Sequence, residues 1–186
     1  MISPKRQISF LEKLEVEKII SSIGKLGQRN LRDRALIETL FSTGLRIAEA
    51  LALEVAEIIP MLDEAGTREL PIIGKGGYQR VIYFSPQAKE ALRAYIEIRK
   101  DDNPLMFYLK VRAAQYMVKK RAHDAGITKR VSPHVLRHSL ATDLLKRGVD
   151  IAFVSKFLGH RNLNNTLIYT HIVNKDLLKI HKELYK

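Results

Sequence analysis

The segment SPHVLRHSLATDLLKRGVDIAFVSKFLGHRNLNNTLIYTH, residues 132–171, is the most informative part of this sequence for both fold and function. Its apolar residues recur at intervals of three and four, as they do on one face of a helix. Ser132 and Pro133 are typical of a helix start, and Gly159 is typical of a helix end. The segment and the residues after it predict helices over residues 133–147, 151–158, about 162–170 and 174–185.

Four candidates for acid–base or phosphate chemistry lie in this segment, in the order His134, Arg137, His160 and Tyr169. His134 and Arg137 are three residues apart, so on a helix they face the same side and can reach one phosphate. Imidazole titrates near neutral pH and suits proton transfer, whereas the phenol of Tyr169 needs nearby cations or a base to become a nucleophile. The guanidinium of Arg137 can donate paired hydrogen bonds to phosphate oxygens, and His160 can add another donor.

Two further candidates lie upstream of this segment. Arg46 follows Gly44 in TGLRIAE, where the glycine lets the chain turn into a helix whose N-terminal amides favour an anion. Lys75 lies in GKGGYQR, a tight turn between two predicted strands, from which an ammonium can deliver a proton to a leaving oxygen. In-line attack on a phosphodiester needs a nucleophile, charge stabilisation and a proton for the leaving alkoxide, and the six side chains together provide all three.

Most of these candidates also have an ordinary structural role, and the sequence alone leaves those alternatives open. Arg46 could form a surface ion pair with Glu49, and Lys75 could lie in an ordinary exposed turn. His134 could cap a helix or make a buried hydrogen bond, and His160 could complement the charge of a helix C-terminus. Tyr169 could be an amphipathic helix residue with its ring in the core. The order of the six residues and the sequence around them favour the catalytic interpretation.

The composition restricts both the partners and the chemistry. With 32 lysines and arginines against 20 aspartates and glutamates, the 186-residue chain carries a net charge of +12, which favours a polyanion such as nucleic acid. The chain has no cysteine, so disulfides and thiolate metal sites are excluded, and the other histidines lack metal-ligand spacing. The glycine-rich turn lacks the Lys-Ser/Thr pair of an ATP-binding loop. We therefore expect no metal and no other cofactor.

The N-terminus has no apolar run long enough for a signal peptide or a membrane span, so we expect a cytoplasmic protein without a membrane partner. Residues 58–84 contain short β-branched and aromatic runs between turn formers, which predicts an antiparallel sheet. The expected class is mainly α (α+β): a helical core with a small antiparallel two- to three-stranded sheet. Helical spacing is also found over residues 10–23, 31–41, 46–53, 86–100 and 111–126.

Three parts of the sequence, TGLRIAEALAL, GKGGYQR and the segment 132–171, together resemble the tyrosine recombinase or phage integrase family, especially its Xer-type and archaeal members. The resemblance implies that the six candidates are the family's active-site residues, with no substitution. It implies that Tyr169 cleaves a DNA strand to give a 3′-phosphotyrosine and a free 5′ hydroxyl. The implied roles are general acid for Lys75, proton transfer for His134, transition-state stabilisation for Arg46, Arg137 and His160, and structural support for Glu49.

The resemblance also implies an organisation and a set of partners. Residues 10–186 would be the catalytic domain and residues 1–9 a linker or arm remnant, without the N-terminal DNA-clamp domain that family members usually carry. The implied partner is double-stranded DNA with a specific recombination site, and the implied assembly is a homotetramer on paired sites. In such a tetramer each C-terminal helix docks on a neighbour, for which residues 174–186 have suitable apolar spacing; packing of the same face on its own domain is the alternative. The role would be chromosome dimer resolution or element integration and excision.

Three other functions are alternatives to site-specific recombination, and each predicts a different feature. A type IB topoisomerase uses similar side chains but reseals its own break. A non-catalytic DNA-binding or regulatory module of the same fold predicts the loss of at least one of the six side chains, and none is lost. A basic RNA-binding protein predicts a lysine and arginine stripe with exposed aromatic residues instead of this ordered set.

Overall fold

The computed structural model describes residues 9–62, 69–73 and 79–159, together with Thr166. These ranges form helices α1 Lys13–Ser22, α2 Gln28–Thr43, α3 Ile47–Leu51, α4 Val55–Leu62, α5 Pro86–Ile98, α6 Val111–Asp124, α7 Pro133–Lys146 and α8 Ile151–Leu158, and strands β1 Glu69–Ile73 and β2 Gln79–Tyr83. The predicted class, a mainly helical chain with one small sheet, is confirmed. Within the described ranges, no helix combines the length and apolar composition that a membrane crossing requires.

The sheet is a pair of antiparallel strands. β1 and β2 pair in the register Glu69↔Tyr83 to Ile73↔Gln79. The inward face carries Leu70 and Ile82, both buried, and also the buried side chain of Arg80. The predicted turn with Lys75, residues 74–78, lies outside the described residues.

The expectation that the sheet begins at residue 58 was wrong, because residues 58–62 belong to helix α4. Ile58, Met61 and Leu62 are all buried, at a spacing that fits one face of a helix. The carboxylate of Glu57 accepts a hydrogen bond of 2.9 Å from the backbone N–H of Glu54, which satisfies a free donor at the helix start. Burial on one helical face and this local cap outweigh the β-branched composition of the run.

The first helix also begins later than the apolar pattern predicts, at Lys13 instead of Phe10. The backbone N–H of Leu11 donates to the hydroxyl of Ser139 on α7 at 2.8 Å, which ties the segment before the helix to α7. The Phe10 ring lies close to the ammonium groups of Lys129 and Lys146, whose nitrogens are 5.9 and 5.2 Å from the ring centroid. Tertiary contacts therefore hold these first apolar residues outside the helix.

Helix α2 lies at the centre of the molecule and packs against α5 and α7. Leu36, Ile37 and Leu40 of this helix are completely buried in the main core. A smaller cluster of apolar side chains joins α7 to α8 and includes Leu140 and Leu158. This packing places the C-terminal end of α2 beside both α7 and α8.

Gly44 ends α2 in the left-handed backbone region, with φ of 62°. A Cβ atom at this position would come within 2.6 Å of Leu158 Cδ2 and 3.1 Å of Leu140 Cδ2. The position therefore needs glycine for two reasons, its backbone conformation and the space around it.

We expect Gly44→Ala to lower the free energy of unfolding by about 2 to 4 kcal/mol, from backbone strain and overpacking together. Gly148→Ala is a matched control, because Gly148 has φ of 80° and nothing within 4 Å of its virtual Cβ. Urea denaturation of both variants measures the difference. Equal losses in the two variants would show that crowding at Gly44 contributes nothing.

Candidate active site

Arg137 is buried at the junction of three helices. Only 2% of the surface of Arg137 is exposed. Its guanidinium donates to the backbone carbonyl of Gly44 at the end of α2, and to that of Leu158 at the end of α8 at 2.6 Å. Helix C-termini carry partial negative charge, so they stabilise this cation. Arg137 therefore links its own helix, α7, to the ends of α2 and α8.

Arg46 lies two residues after Gly44 and is the N-cap of α3. The carboxylate of Glu49 accepts from the Arg46 backbone N–H at 2.9 Å and from its Nη1 at 3.0 Å. The ion pair with Glu49 thus exists, and it orients a guanidinium whose side chain is 41% exposed. Since a guanidinium has five N–H donors, this pairing leaves donors for a phosphate as well.

Arg80 approaches the same carboxylate from strand β2. Its Nη2 and Nη1 atoms lie 2.7 and 3.3 Å from the two carboxylate oxygens of Glu49. The Arg80 side chain is 4% exposed, and the Glu49 side chain 13%. One largely buried carboxylate therefore holds two arginines from different parts of the chain.

The pKa of Glu49 reflects these contacts. Burial alone would raise it, but the hydrogen bonds from Arg80 and from the Arg46 backbone, with the nearby positive charge, bring it below the ordinary glutamate value. A carboxyl group with a lowered pKa stabilises the fold above its unfolded-state pKa. That stabilisation is lost as the pH falls through the lower, folded-state value.

We expect Glu49→Gln to lower the free energy of unfolding at neutral pH by about 1 to 3 kcal/mol, because hydrogen bonds to a charged acceptor are replaced by weaker ones. The variant cannot titrate at this position, so the gap between it and the wild type should shrink below the ordinary glutamate pKa. Urea titrations across a series of pH values measure the gap. A gap that stays constant down to acid pH would contradict this account.

His134 begins the exposed face of α7, three residues before Arg137. Partial burial lowers the pKa of its imidazole, and the positive charges of Arg137 and Arg46 lower it further. Its ring also meets that of His138 edge to face, with the centroids 4.0 Å apart. His134 therefore stays neutral at a pH where an ordinary histidine begins to protonate, and a neutral imidazole can accept a proton.

The structure thus brings together the three predicted site residues that it describes, Arg46, His134 and Arg137. The other three, Lys75, His160 and Tyr169, lie outside the described residues, as do the predicted helices over 162–170, apart from Thr166, and 174–185. Thr166 itself is helical and buried.

Sequence reasoning missed Arg80. An arginine within a strand is normally exposed, so its type gives no warning. Its position in the strand gives a signal, because Arg80 lies two residues before Ile82 and therefore on the same inward face of β2. A charge at an inward strand position near a predicted site was the available signal.

Comparisons with known proteins show the family to which this chain belongs. Residues 9–175 match the sequence model of the phage integrase family. Among curated relatives, tyrosine recombinase XerD of Corynebacterium glutamicum is 38% identical over 162 residues, and XerC of Bacillus subtilis is 32% identical over 189 residues. These alignments cover 81% and 94% of this chain, and 52% and 60% of the two relatives. The chain therefore spans about half to three fifths of the length of these relatives.

Solved recombinases share the fold. The crystal structure of the XerA recombinase matches with a TM-score of 0.80 at 25% identity, covering 99% of this chain and 66% of the other. The XerH recombinase, bound to its palindromic difH substrate in a post-cleavage complex, matches with a TM-score of 0.80 at 27% identity. That match covers 100% of this chain and 56% of XerH. On the sequence match over most of its length and on this fold, the protein belongs to the phage integrase family.

Proposed function

We propose that this chain carries out site-specific DNA recombination, cutting and rejoining DNA strands through a 3′-phosphotyrosine at Tyr169. The observation that carries the proposal is a contact: Arg137 donates to the carbonyl of Gly44, two residues before Arg46, and His134 lies one helical turn before Arg137 in this basic protein. The relatives named as tyrosine recombinases, and XerH in complex with its DNA substrate, support the same reaction.

The two arginines supply charge stabilisation. Two backbone carbonyls accept hydrogen bonds from the Arg137 guanidinium and hold it in place. The Glu49 carboxylate holds Arg46 through its Nη1. Guanidinium groups that are already oriented lose little freedom when a phosphate develops extra negative charge in the transition state. The pair therefore favours the five-coordinate phosphorus over the ground-state diester.

The proposed reaction conserves the energy of the phosphodiester. The Tyr169 oxygen attacks phosphorus and loses its proton, for which neutral His134 is a suitable acceptor. The bond from phosphorus to the 5′ oxygen breaks, and that oxygen takes a proton from Lys75. Attack by a 5′ hydroxyl on the phosphotyrosine reverses these steps and restores a diester.

The proposed partner is double-stranded DNA with a specific recombination site, and residues 10–186 are proposed as the catalytic domain. A homotetramer on paired sites would let a 5′ hydroxyl from one duplex reach the phosphotyrosine of another. We propose that residues 174–186, which are outside the described residues, dock on a neighbouring subunit in that assembly. The proposed roles, chromosome dimer resolution or element integration and excision, place the protein with DNA in the cytoplasm.

A suicide-substrate experiment tests the proposed reaction without knowledge of the site. The chain is incubated in EDTA with a pool of duplexes that have a randomised central sequence and a nick. Cleavage beside the nick releases a short strand with a free 5′ hydroxyl, which diffuses away, so the protein cannot rejoin the cut strand. Covalent complexes are captured in SDS and their DNA is sequenced. We expect capture of a defined sequence. DNA binding without any SDS-resistant product, over the whole pool, would contradict the proposal.

A further inference from the structure

Building on the proposed function, we infer that Arg80 is a positioning residue of the strand-cleavage reaction. It contacts neither substrate nor reacting atoms in this account. Arg80 lies on the strand that follows the Lys75 turn. Its side chain contacts the Glu49 carboxylate, which orients Arg46, and the backbone of Gly159, which precedes His160.

The first support is the way in which Arg80 is buried. It lies on the inward face of β2 beside Ile82, where an apolar side chain is the ordinary occupant. A buried ion pair is often no more stabilising than apolar residues of similar size, so stability alone explains this arginine poorly. Within the described part of the chain, the Arg80 Nε is buried without a hydrogen-bond partner, which adds to the cost.

The second support is the contact with Gly159. This glycine ends α8 in the left-handed region, with φ of 66°. A Cβ atom there would lie 2.8 Å from Nη1 and 2.9 Å from Cδ of Arg80, so the arginine packs directly on the glycine backbone. Gly159 is the residue before His160 in the sequence. The contact therefore fixes the point from which the chain continues to a proposed catalytic residue.

The third support is the place of Arg80 in the hairpin. Arg80 pairs with Ile72, one residue from the end of each strand nearest the turn that contains Lys75. Its two hydrogen bonds to Glu49 anchor this end of the hairpin to the start of α3. A strand end that is anchored by a forked, charged contact holds its direction better than one held by apolar packing.

The three contacts define what the loss of Arg80 would do. Glu49 would keep Arg46 as a partner, but it would lose the contact that fixes the carboxylate from the other side. The hairpin end and the α8 terminus would lose their common neighbour. A misplacement of catalytic groups by about 1 Å can slow a reaction about 100-fold without changing how tightly the substrate binds.

The test compares Arg80→Met with Arg80→Lys on the sequence captured by the suicide experiment. The rate of covalent complex formation is measured at saturating DNA, and the Kd for DNA separately. We expect Arg80→Met to slow cleavage about 100-fold with a nearly unchanged Kd. Arg80→Lys keeps the charge and one hydrogen bond, so it should recover about tenfold of that loss.

Arg121→Met is the matched control for a purely structural effect. Arg121 is also held by a carboxylate, with its Nε and Nη2 at 3.0 and 2.7 Å from Asp33 Oδ2, and its side chain is 17% exposed. It should lose stability but keep the wild-type cleavage rate at saturating DNA, once rates are corrected for the folded fraction.

An Arg80→Met rate within about threefold of wild type after the same correction would overturn the inference while leaving the proposed function in place. So would a loss no greater than that of Arg121→Met, or no recovery in Arg80→Lys. A wild-type chain that binds DNA but forms no adduct would overturn the proposed function, and this inference with it.

Discussion

Tyr169→Phe is expected to abolish the covalent protein–DNA complex and to leave DNA binding intact. The change removes one oxygen atom and keeps the aromatic ring, so packing around the residue should be little affected. If that oxygen is the nucleophile, the other site residues have no group to activate, and the rate should fall by at least about 10⁴-fold. An SDS gel of the captured nicked duplex, with a parallel binding measurement, gives both quantities.

Tyr116→Phe is the matched control for Tyr169→Phe. Tyr116 is 66% exposed on α6 and has no place in the proposed reaction. The control should form the covalent complex at the wild-type rate. An adduct that persists in Tyr169→Phe would assign the nucleophile to another residue.

Arg137→Lys should slow cleavage by about 10² to 10³-fold, which is typical for the loss of one preorganised donor to a developing oxyanion. Lysine has a single terminal nitrogen and cannot reproduce the planar fork that reaches both Gly44 and Leu158. Because these contacts are buried, the free energy of unfolding should also fall, by about 1 to 3 kcal/mol. Single-turnover cleavage at saturating DNA and urea denaturation measure the two effects separately.

Arg99→Lys separates the two effects. The Arg99 side chain is 5% exposed and donates to Asp101 and to the backbone carbonyl of Asn103, away from the candidate site. This control should lose stability but retain the wild-type cleavage rate in its folded fraction. If Arg137→Lys cleaves DNA as fast as Arg99→Lys does, Arg137 has no direct role in the reaction.

The helices around the site could be predicted because local signals set their ends. Residues 133–147 were expected to be helical, and α7 is observed at Pro133–Lys146, where the Ser132 hydroxyl accepts from the backbone N–H of Val135 at 3.3 Å. Helix α8 matches its predicted range, 151–158, and Asp150 caps it by accepting from Ala152 at 2.7 Å. Caps, proline and glycine act within a few residues, so they can be recognised in the sequence.

The predicted secondary structure differs from the structure where contacts between distant parts of the chain decide the conformation. Residues 58–62 form a short apolar run that fits a strand or a helix, and only the burial of one helical face in α4 decides between them. Phe10 continues the apolar spacing of α1 but lies outside the helix, against two lysines that come more than 100 residues later in the chain. Such contacts leave no local signal.

The candidate site shows the same division. The order of Arg46, His134 and Arg137 predicts a shared site. In the structure Arg137 donates to the carbonyl of Gly44, two residues before Arg46, while the role of these side chains in one catalytic site stays a prediction. Arg80 could not be assigned in this way, because its partner Glu49 lies 31 residues earlier on a different element. Strand alternation marks Arg80 as an inward residue, but only the fold reveals what it contacts.

The chemistry of the captured complex identifies both the nucleophile and the end of the DNA strand that it holds. After trypsin and nuclease digestion of the wild-type complex formed in EDTA, mass spectrometry should find a nucleotide on the peptide NLNNTLIYTHIVNK, residues 162–175, in which Tyr169 is the only tyrosine. The link should be a 3′-phosphodiester to Tyr169, and the released DNA strand should carry a free 5′ hydroxyl. A 5′-phosphate link, attachment to a different residue, or cut DNA with no attached protein would contradict the account.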